Sequence, residues 1–149
     1  MKEFSLHFPE TKEEFIEYYF LRWKILRKPL SKKKGTEKDN IEKDSFHVYI
    51  KNKINRMVAV GRIHIVKNML PKTAQIRFMA VDDDFQGLGL GSMILRELES
   101  QAKREYAYCI ILHAREMALD FYKKNGYIVE EKSHLLFNEV QHWLMEKKI

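Results

Sequence analysis

The chain is poor in the residues that would staple, segment or anchor it. Among its 149 residues there is one cysteine, Cys109, so no internal disulfide can form and a reducing compartment is the natural home. Cys109 lies in the apolar run from Tyr108 to Leu112 and reads as a small buried hydrophobe on a strand. No stretch approaches the roughly 18 apolar residues of a membrane span, and the first residues show no basic segment followed by an apolar one, so the expected location is the cytoplasm, without a membrane partner. No repeat, low-complexity tract or Pro/Gly/Ser-rich linker interrupts the sequence, which predicts one domain over residues 1–149. With 45% hydrophobic residues the chain can build one core unaided.

Zinc-ligand spacing, an RNA-binding signature and a paired aromatic platform are also missing, so neither a metal nor a nucleic-acid partner is expected. The formal charge is nevertheless +6. Seven basic residues (Arg22, Lys24, Arg27, Lys28, Lys32, Lys33 and Lys34) share one stretch without Asp or Glu. Removing those seven from the 27 Lys and Arg leaves 20 basic against 21 acidic residues, so the whole excess sits there. Such a run is most simply a solvated helix face and loop.

What is present reads as alternating elements. Phe4, Leu6 and Phe8 alternate with polar residues as in a strand ended by Pro9. Thr11 with Glu14 three residues on forms a capping box, and Phe15, Tyr18, Tyr19, Arg22, Ile25 and Leu26 follow at helical spacing until Pro29 closes the helix. The polar stretch Ser31 to Ser45 reads as a mobile loop with a short helix around Asp39 to Lys43. From Phe46 the period is that of strands: Phe46, Val48 and Ile50, a turn over Lys51 to Asn55, then Val58 to Ile65. After a turn at Pro71, Ile76, Phe78 and Ala80 alternate with Gln75, Arg77 and Met79 up to Asp82. Ile94, Leu95, Leu98 and Ala102 mark an amphipathic helix ending near Glu105. Cys109 to Leu112 is a short buried strand. Met117, Ala118, Phe121 and Tyr122 share one face of a helix stopped at Asn125 and Gly126, and Tyr127 to Val129 and Leu144 to Met145 belong to two last strands. A meander combined with a strand-helix-strand crossover predicts an α/β (α+β) fold: a mixed central sheet of about seven strands with helices on both faces.

The segment Gln86-Gly87-Leu88-Gly89-Leu90-Gly91-Ser92 leads from a strand directly into a helix. Glycines admit positive φ and close approach of a ligand, and the first N–H groups of the helix lack acceptors at the positive end of its dipole. Together they make a site for a phosphate or diphosphate. No Lys follows Gly91, which argues against a P-loop, and the next strand ends Leu112-His113-Ala114 without an acidic residue, which argues against a dinucleotide.

Gln86-x-x-Gly89-x-Gly91 resembles the signature with which the GNAT superfamily of N-acetyltransferases binds the pyrophosphate of coenzyme A. Ala118-Leu119-Asp120-Phe121-Tyr122-Lys123-Lys124-Asn125-Gly126-Tyr127 is similar to a second motif of that family, at the family's separation and order. The resemblance implies acetyl-CoA as co-substrate, a small-molecule or peptide amine as acceptor, and direct attack of the neutral amine in a ternary complex. It implies a cofactor site made of Met79, Ala80, Val81 and the segment Gln86, Gly87, Leu88, Gly89, Leu90, Gly91 and Ser92, with the pantetheine arm in a gap between the strand ending at Val81 and the strand Tyr108 to Leu112. The main-chain N–H of Phe78 or Met79 would face the developing oxyanion, and Tyr122, a phenol protonated at neutral pH, would return a proton to the departing thiolate unless it is an ordinary core aromatic.

Two departures from the family pattern leave the base open. Gln75 and Arg77 stand on the strand where relatives carry a glutamate, and Glu116 and Met117 stand where an asparagine often orients the cofactor. His64, His113 and His142 are candidate bases, and deprotonation through water is equally open. The acceptor site is expected over Tyr19 to Asp44 and Lys132 to Trp143, with Arg22, Arg27, Arg77 and His142 as candidate contacts. Leu21 to Pro29 resembles a pattern of small bacterial members of the family. Arg22 and Arg27 either bind an anionic group of the acceptor or pair with Glu37 or Asp39. A homodimer through the C-terminal strands would use Leu135, Leu136 and Phe137. The competing reading is an acyl-CoA-binding sensor without turnover.

Overall fold

The computed structural model describes residues 3–149. Seven strands, β1 (Phe4–His7), β2 (Phe46–Asn52), β3 (Met57–Ile65), β4 (Thr73–Val81), β5 (Cys109–Arg115), β6 (Ile128–Leu136) and β7 (Val140–Lys148), form one mixed sheet in the order β1-β2-β3-β4-β5-β7-β6. Three α-helices, α1 (Lys12–Leu26), α2 (Leu90–Arg104) and α3 (Leu119–Lys124), complete the expected element order. The β4–β5 pair is parallel and the others are antiparallel. α2 supplies the long crossover that a parallel pair needs; short turns join β2 to β3, β3 to β4 and β6 to β7, whereas β1 reaches β2 through α1 and the segment after it, and β5 leads through α3 to the β6–β7 hairpin.

The helices divide the sheet's two faces. Leu90, Ile94, Leu95, Leu98 and Ala102 of α2 are buried with Val48, Ile63, Ile76, Ile110 and Leu112, and Tyr122 and Met145 join that cluster. Each large side chain so buried is worth roughly 1.5 to 3 kcal/mol. On the opposite face Tyr18 and Leu21 of α1 pack with Tyr49, Met57, Val60 and Ala80. α1 starts where the capping box predicts: the Glu14 N–H donates to Thr11 Oγ1 at 3.1 Å and the Thr11 N–H to Glu14 Oε1 at 2.9 Å.

Four sequence expectations change. The alternation read through Ile76, Phe78 and Ala80 does not lie on one face, because β4 carries a bulge: Val60 pairs with Ala80 but Arg62 with Arg77, leaving Phe78 and Met79 opposite Gly61 alone. Phe78 takes φ +59°, and beyond it the faces exchange, so Ile76 and Met79 pack toward α2 while Ala80 packs toward α1. The last two strands are longer than expected and form a hairpin whose second strand, β7, is the one that pairs with β5. Met117 does not share the face of Tyr122; it is 89% exposed, since Glu116–Ala118 is a 3-10 turn rather than the first turn of α3. The segment after α1 is packed rather than loose. The Trp23 indole N–H donates to the Lys32 carbonyl, Arg27 Nε to the Thr36 carbonyl, and buried Glu37 accepts the Gly35 N–H.

Candidate active site

The site begins where β4 and β5 part. Their ladder runs from Thr73–Cys109 to Ile76–Leu112 and stops, although β4 continues to Val81 and β5 to Arg115. Beyond Ile76 the main-chain groups of the bulged β4 face a gap instead of a neighbour. A gap bounded by unpaired N–H and C=O groups suits an extended chain bearing amides.

The bulge is held from both faces. Gly61 lies opposite it, and a Cβ there would collide with the Ile94 side chain and stand 3.1 Å from Leu98 Cδ1 and 3.5 Å from Met79 Cγ, so only glycine lets α2 approach this closely. The Gly61 carbonyl accepts the Tyr18 hydroxyl at 2.8 Å, tying α1 to the same point. A left-handed residue other than glycine costs roughly 1 to 2 kcal/mol. At Phe78 four guanidinium carbons offset it, lying 4.4 Å (Arg22), 4.4 Å (Arg77), 4.9 Å (Arg62) and 5.7 Å (Arg27) from the ring centroid.

Two of those arginines are fully buried, and their terminal nitrogens find partners within the protein, although the Nε of each is unpaired among the described residues. Arg62 makes a bidentate pair with Asp39 at 2.6 and 3.0 Å and reaches Glu42 Oε2 at 2.9 Å. Arg22 shares that Glu42 oxygen at 2.9 Å and donates to the Glu37 carbonyl and the Tyr18 hydroxyl. Of the two pairings expected for Arg22 and Arg27, neither forms with a Glu37 or Asp39 carboxylate. Arg22 uses Glu42, and Asp39 instead holds Arg62 and, at 3.0 Å, Arg77. Arg27, 4% exposed, donates to the Thr36 and Leu26 carbonyls, and burial with Arg115 and Arg77 nearby pushes its pKa down to about 10. Arg22 and Arg27 therefore shape the site from within, whereas the Arg77 guanidinium is 42% exposed and the more accessible of the candidate arginines.

On the α2 face, Tyr122 is buried and its hydroxyl lies 3.6 Å from Met79 Sδ, at the bulge. Burial raises its pKa, so the phenol is fully protonated at neutral pH. The residues before α2 fit a diphosphate. Gly87 and Gly89 take φ +76° and +79°, conformations that side chains disfavour, with open space around each. Gly91 faces the Phe121 ring, which a Cβ would meet at 3.1 Å. The Gln86 side chain donates to the Val81 carbonyl at 2.8 Å, tying this turn to the end of β4. The first N–H groups of α2 have no intrahelical acceptor, so an anion in the turn meets donors and the positive end of the helix dipole.

On the opposite face, alternation along β5 puts His113 and Arg115 away from Leu112 and Ala114. Arg115 accordingly reaches the Leu26 carbonyl at the end of α1 at 2.8 Å. His113 is the first residue past the last β4–β5 pair. It lies against His134 with ring centroids 5.3 Å apart, and His134 stacks on His142 at 4.4 Å. His64 lies farther along the ladder, opposite Gln75; its Nδ1 is 3.5 Å from Arg62 Nη2, and it also lines a separate cavity of about 350 Å³ with Asp44, Phe46 and Gln101. A second cavity, about 390 Å³, adjoins the parted strands and is lined by Arg115, Glu116, Met117, Glu139, Val140 and Gln141. The β6–β7 turn closes beside it, with Phe137 under Arg27 and Lys32 and with Lys32 3.9 Å from Glu139.

Sequence reasoning missed Gly61, Glu42, Arg62 and His134, and it named Asp39 with other partners than the Arg62 and Arg77 it holds. Only Gly61 carried a signal, since a glycine inside a strand pattern marks a bulge or a close backbone approach. The others meet only through tertiary structure.

Comparison with known proteins places these features in context. The Acetyltransferase (GNAT) family matches over residues 8–127. Among solved structures, Escherichia coli ElaA superposes with TM-score 0.80 at 16% identity, covering 99% of this chain and 100% of that one. A GNAT family acetyltransferase from Elizabethkingia anophelis with acetyl-CoA bound gives 0.73 at 13% identity over 100% of both chains. At such identities the likeness is one of fold. The uncharacterized N-acetyltransferase ycf52 of Pyropia yezoensis is 38% identical over 55 residues, 37% of this chain, and the match spans 32% of that relative's length.

Proposed function

Because the chain belongs to the acetyltransferase (GNAT) family, we propose that it moves an acetyl group from acetyl-CoA to an amine by direct attack in a ternary complex. The observation that carries this reading is the coincidence at one point of the bulge at Phe78–Met79, the end of the β4–β5 ladder at Ile76–Leu112, and the buried Tyr122 hydroxyl beside Met79.

The turn from Gln86 to Ser92 would hold the diphosphate, and Met79, Ala80 and Val81 would pair with the amides of the pantetheine arm. Bound there, acetyl-CoA supplies an acyl group already activated as a thioester. The protein's own groups do the rest. The N–H of Phe78 or Met79 donates to the acyl oxygen as it gains charge, from a backbone fixed in advance, an arrangement worth on the order of 3 kcal/mol per donor. Tyr122 gives its proton to the leaving sulfur. The packed surroundings of Tyr122 and Phe78 exclude water from both groups. Arg77, with the cavity between Arg115 and Gln141, would face the amine, and this surface sits on the side of the sheet opposite the glycine turn.

The test is release of thiol from acetyl-CoA across a panel of amines. Tyr122→Phe should lower kcat ten- to a thousandfold while leaving acetyl-CoA affinity nearly unchanged. An unchanged kcat removes Tyr122 from the proton's route.

A further inference from the structure

The proposed chemistry needs a place for the amine's proton, and β4 brings no carboxylate to the gap, holding Gln75 and Arg77 instead. We propose that His113 takes that proton, with His134 passing it to solvent and His142 holding His134 in place; the inference rests on the acetyl-transfer reading above.

Three observations carry it. First, position: His113 follows Leu112, the last residue of β5 paired with β4, and it lies on the α1 face. Tyr122 lies on the α2 face. A group held in the gap would therefore have a proton donor on one side of the sheet and an imidazole on the other, which is the geometry for an attacking nitrogen and a departing sulfur. Second, satisfaction: His113 Nδ1 is buried and has no hydrogen-bond partner among the described residues. A buried nitrogen left unpaired is unfavourable, and an amine N–H arriving from the gap would complete it. Third, continuity: the rings of His113, His134 and His142 touch in sequence, coming from β5, β6 and β7. His134 is exposed, so the row leads from the gap to water. His142 is buried, and its Nδ1 lies 3.0 Å from the Val140 carbonyl, which fixes the ring on which His134 stacks.

Arg77 on β4 and Arg115 on β5 face the row from the adjoining strands, and both are positive. Burial, these arginines and the rings' mutual repulsion favour the neutral imidazoles at neutral pH, the form that accepts a proton. The step balances. The amine nitrogen forms the C–N bond and loses its proton to the lone pair of His113. The C–S bond breaks, and Tyr122 protonates the sulfur. The imidazolium then sheds its proton through His134 to water, and the Tyr122 phenolate regains a proton when CoA leaves and water enters the gap.

The experiment is the pH profile of kcat/KM, from pH 5.5 to 9.5, for thiol release from acetyl-CoA with the panel of amines, for wild type, His113→Gln and the exposed-site variant His134→Gln. The wild-type profile should hold its plateau down to below pH 6.5. His113→Gln should be about a hundredfold slower at pH 7, with unchanged acetyl-CoA affinity, and should recover as pH rises and the amine loses its proton unaided. His134→Gln should move the same limb with a smaller loss. Profiles of both variants parallel to wild type overturn the proposal while leaving acetyl transfer intact. Absence of thiol release from the wild type with every amine overturns the transfer reading itself, and this proposal with it.

Discussion

Replacing Gly61 by alanine tests whether the bulge, α2 and the cofactor turn are one mechanical unit. If there were room, one more buried methyl would stabilise by about 0.8 kcal/mol. There is none: the new Cβ would overlap Ile94, crowd Leu98 Cδ1 at 3.1 Å and approach Met79 Cγ at 3.5 Å. Ile94 and Leu98 are fully buried in the α2 core, so they cannot rotate away. The helix itself must shift, at a cost of about 1 to 3 kcal/mol for overpacking. For a chain of this size that lowers Tm by roughly 3 to 9 °C. Because Gly89 to Ser92 begin that helix, the shift should also raise KM for acetyl-CoA severalfold while KM for the amine changes little. Ile94→Leu, which removes the colliding γ2 methyl and keeps volume, should restore part of both losses in the double variant. Calorimetry and steady-state kinetics on the two single variants and the double variant make the test. A Gly61→Ala protein with wild-type Tm and wild-type KM would refute the coupling.

Three further outcomes are expected. Gly89→Ala, at φ +79°, should cost about 1 kcal/mol in unfolding and weaken acetyl-CoA binding without altering the pH profile, read by urea unfolding and by the CoA titration. Glu42→Ala removes the one carboxylate paired with the fully buried Arg22, while Arg62 keeps Asp39, and should destabilise by about 3 to 5 kcal/mol, measured by denaturant midpoint, whereas Lys32→Ala at the exposed Glu139 pair should change stability by less than about 1 kcal/mol. Burial lowers the His142 pKa to about 4, against the ordinary 6.5 of an exposed imidazole. The unfolded chain therefore takes up the proton first as pH falls, so this contribution is complete above pH 6.5 and is lost progressively toward pH 4. Between pH 7.5 and 5 it amounts to up to about 2 kcal/mol, and His142→Gln should flatten that part of the stability curve.

The order of elements was legible because each boundary has a local cause: the Thr11–Glu14 capping box, Pro29, the turn at Pro71, the glycines before α2, and Asn125–Gly126. The cofactor turn and Tyr122 could be placed for the same reason, since both depend on residues near each other in sequence. The bulge was not legible in β4 itself. Gln75 to Val81 alternates as a regular strand would, and the extra residue shows only in the pairing with β3, where Gly61 stands alone opposite Phe78 and Met79. Arg22 and Arg27 read as part of a solvated basic run, and as contacts for an anionic acceptor or partners of Glu37 or Asp39. Their burial depends on Glu42 and on the Thr36 and Glu37 carbonyls, partners 9 to 20 residues away whose approach no local pattern encodes. His134 was invisible for a related reason: it joins His113 and His142 only once the hairpin β6–β7 pairs onto β5.

The most direct test of the central claim is to incubate the purified protein with acetyl-CoA and the amine panel, with Tyr122→Phe in parallel, and to follow free thiol and acetylated amine together. The account predicts that one class of amine gives equal amounts of both products, at a rate ten- to a thousandfold lower in the variant. Acetyl-CoA bound tightly by both proteins, with no thiol released over the whole panel, would contradict it and point to a protein that senses the acyl-CoA without turning it over.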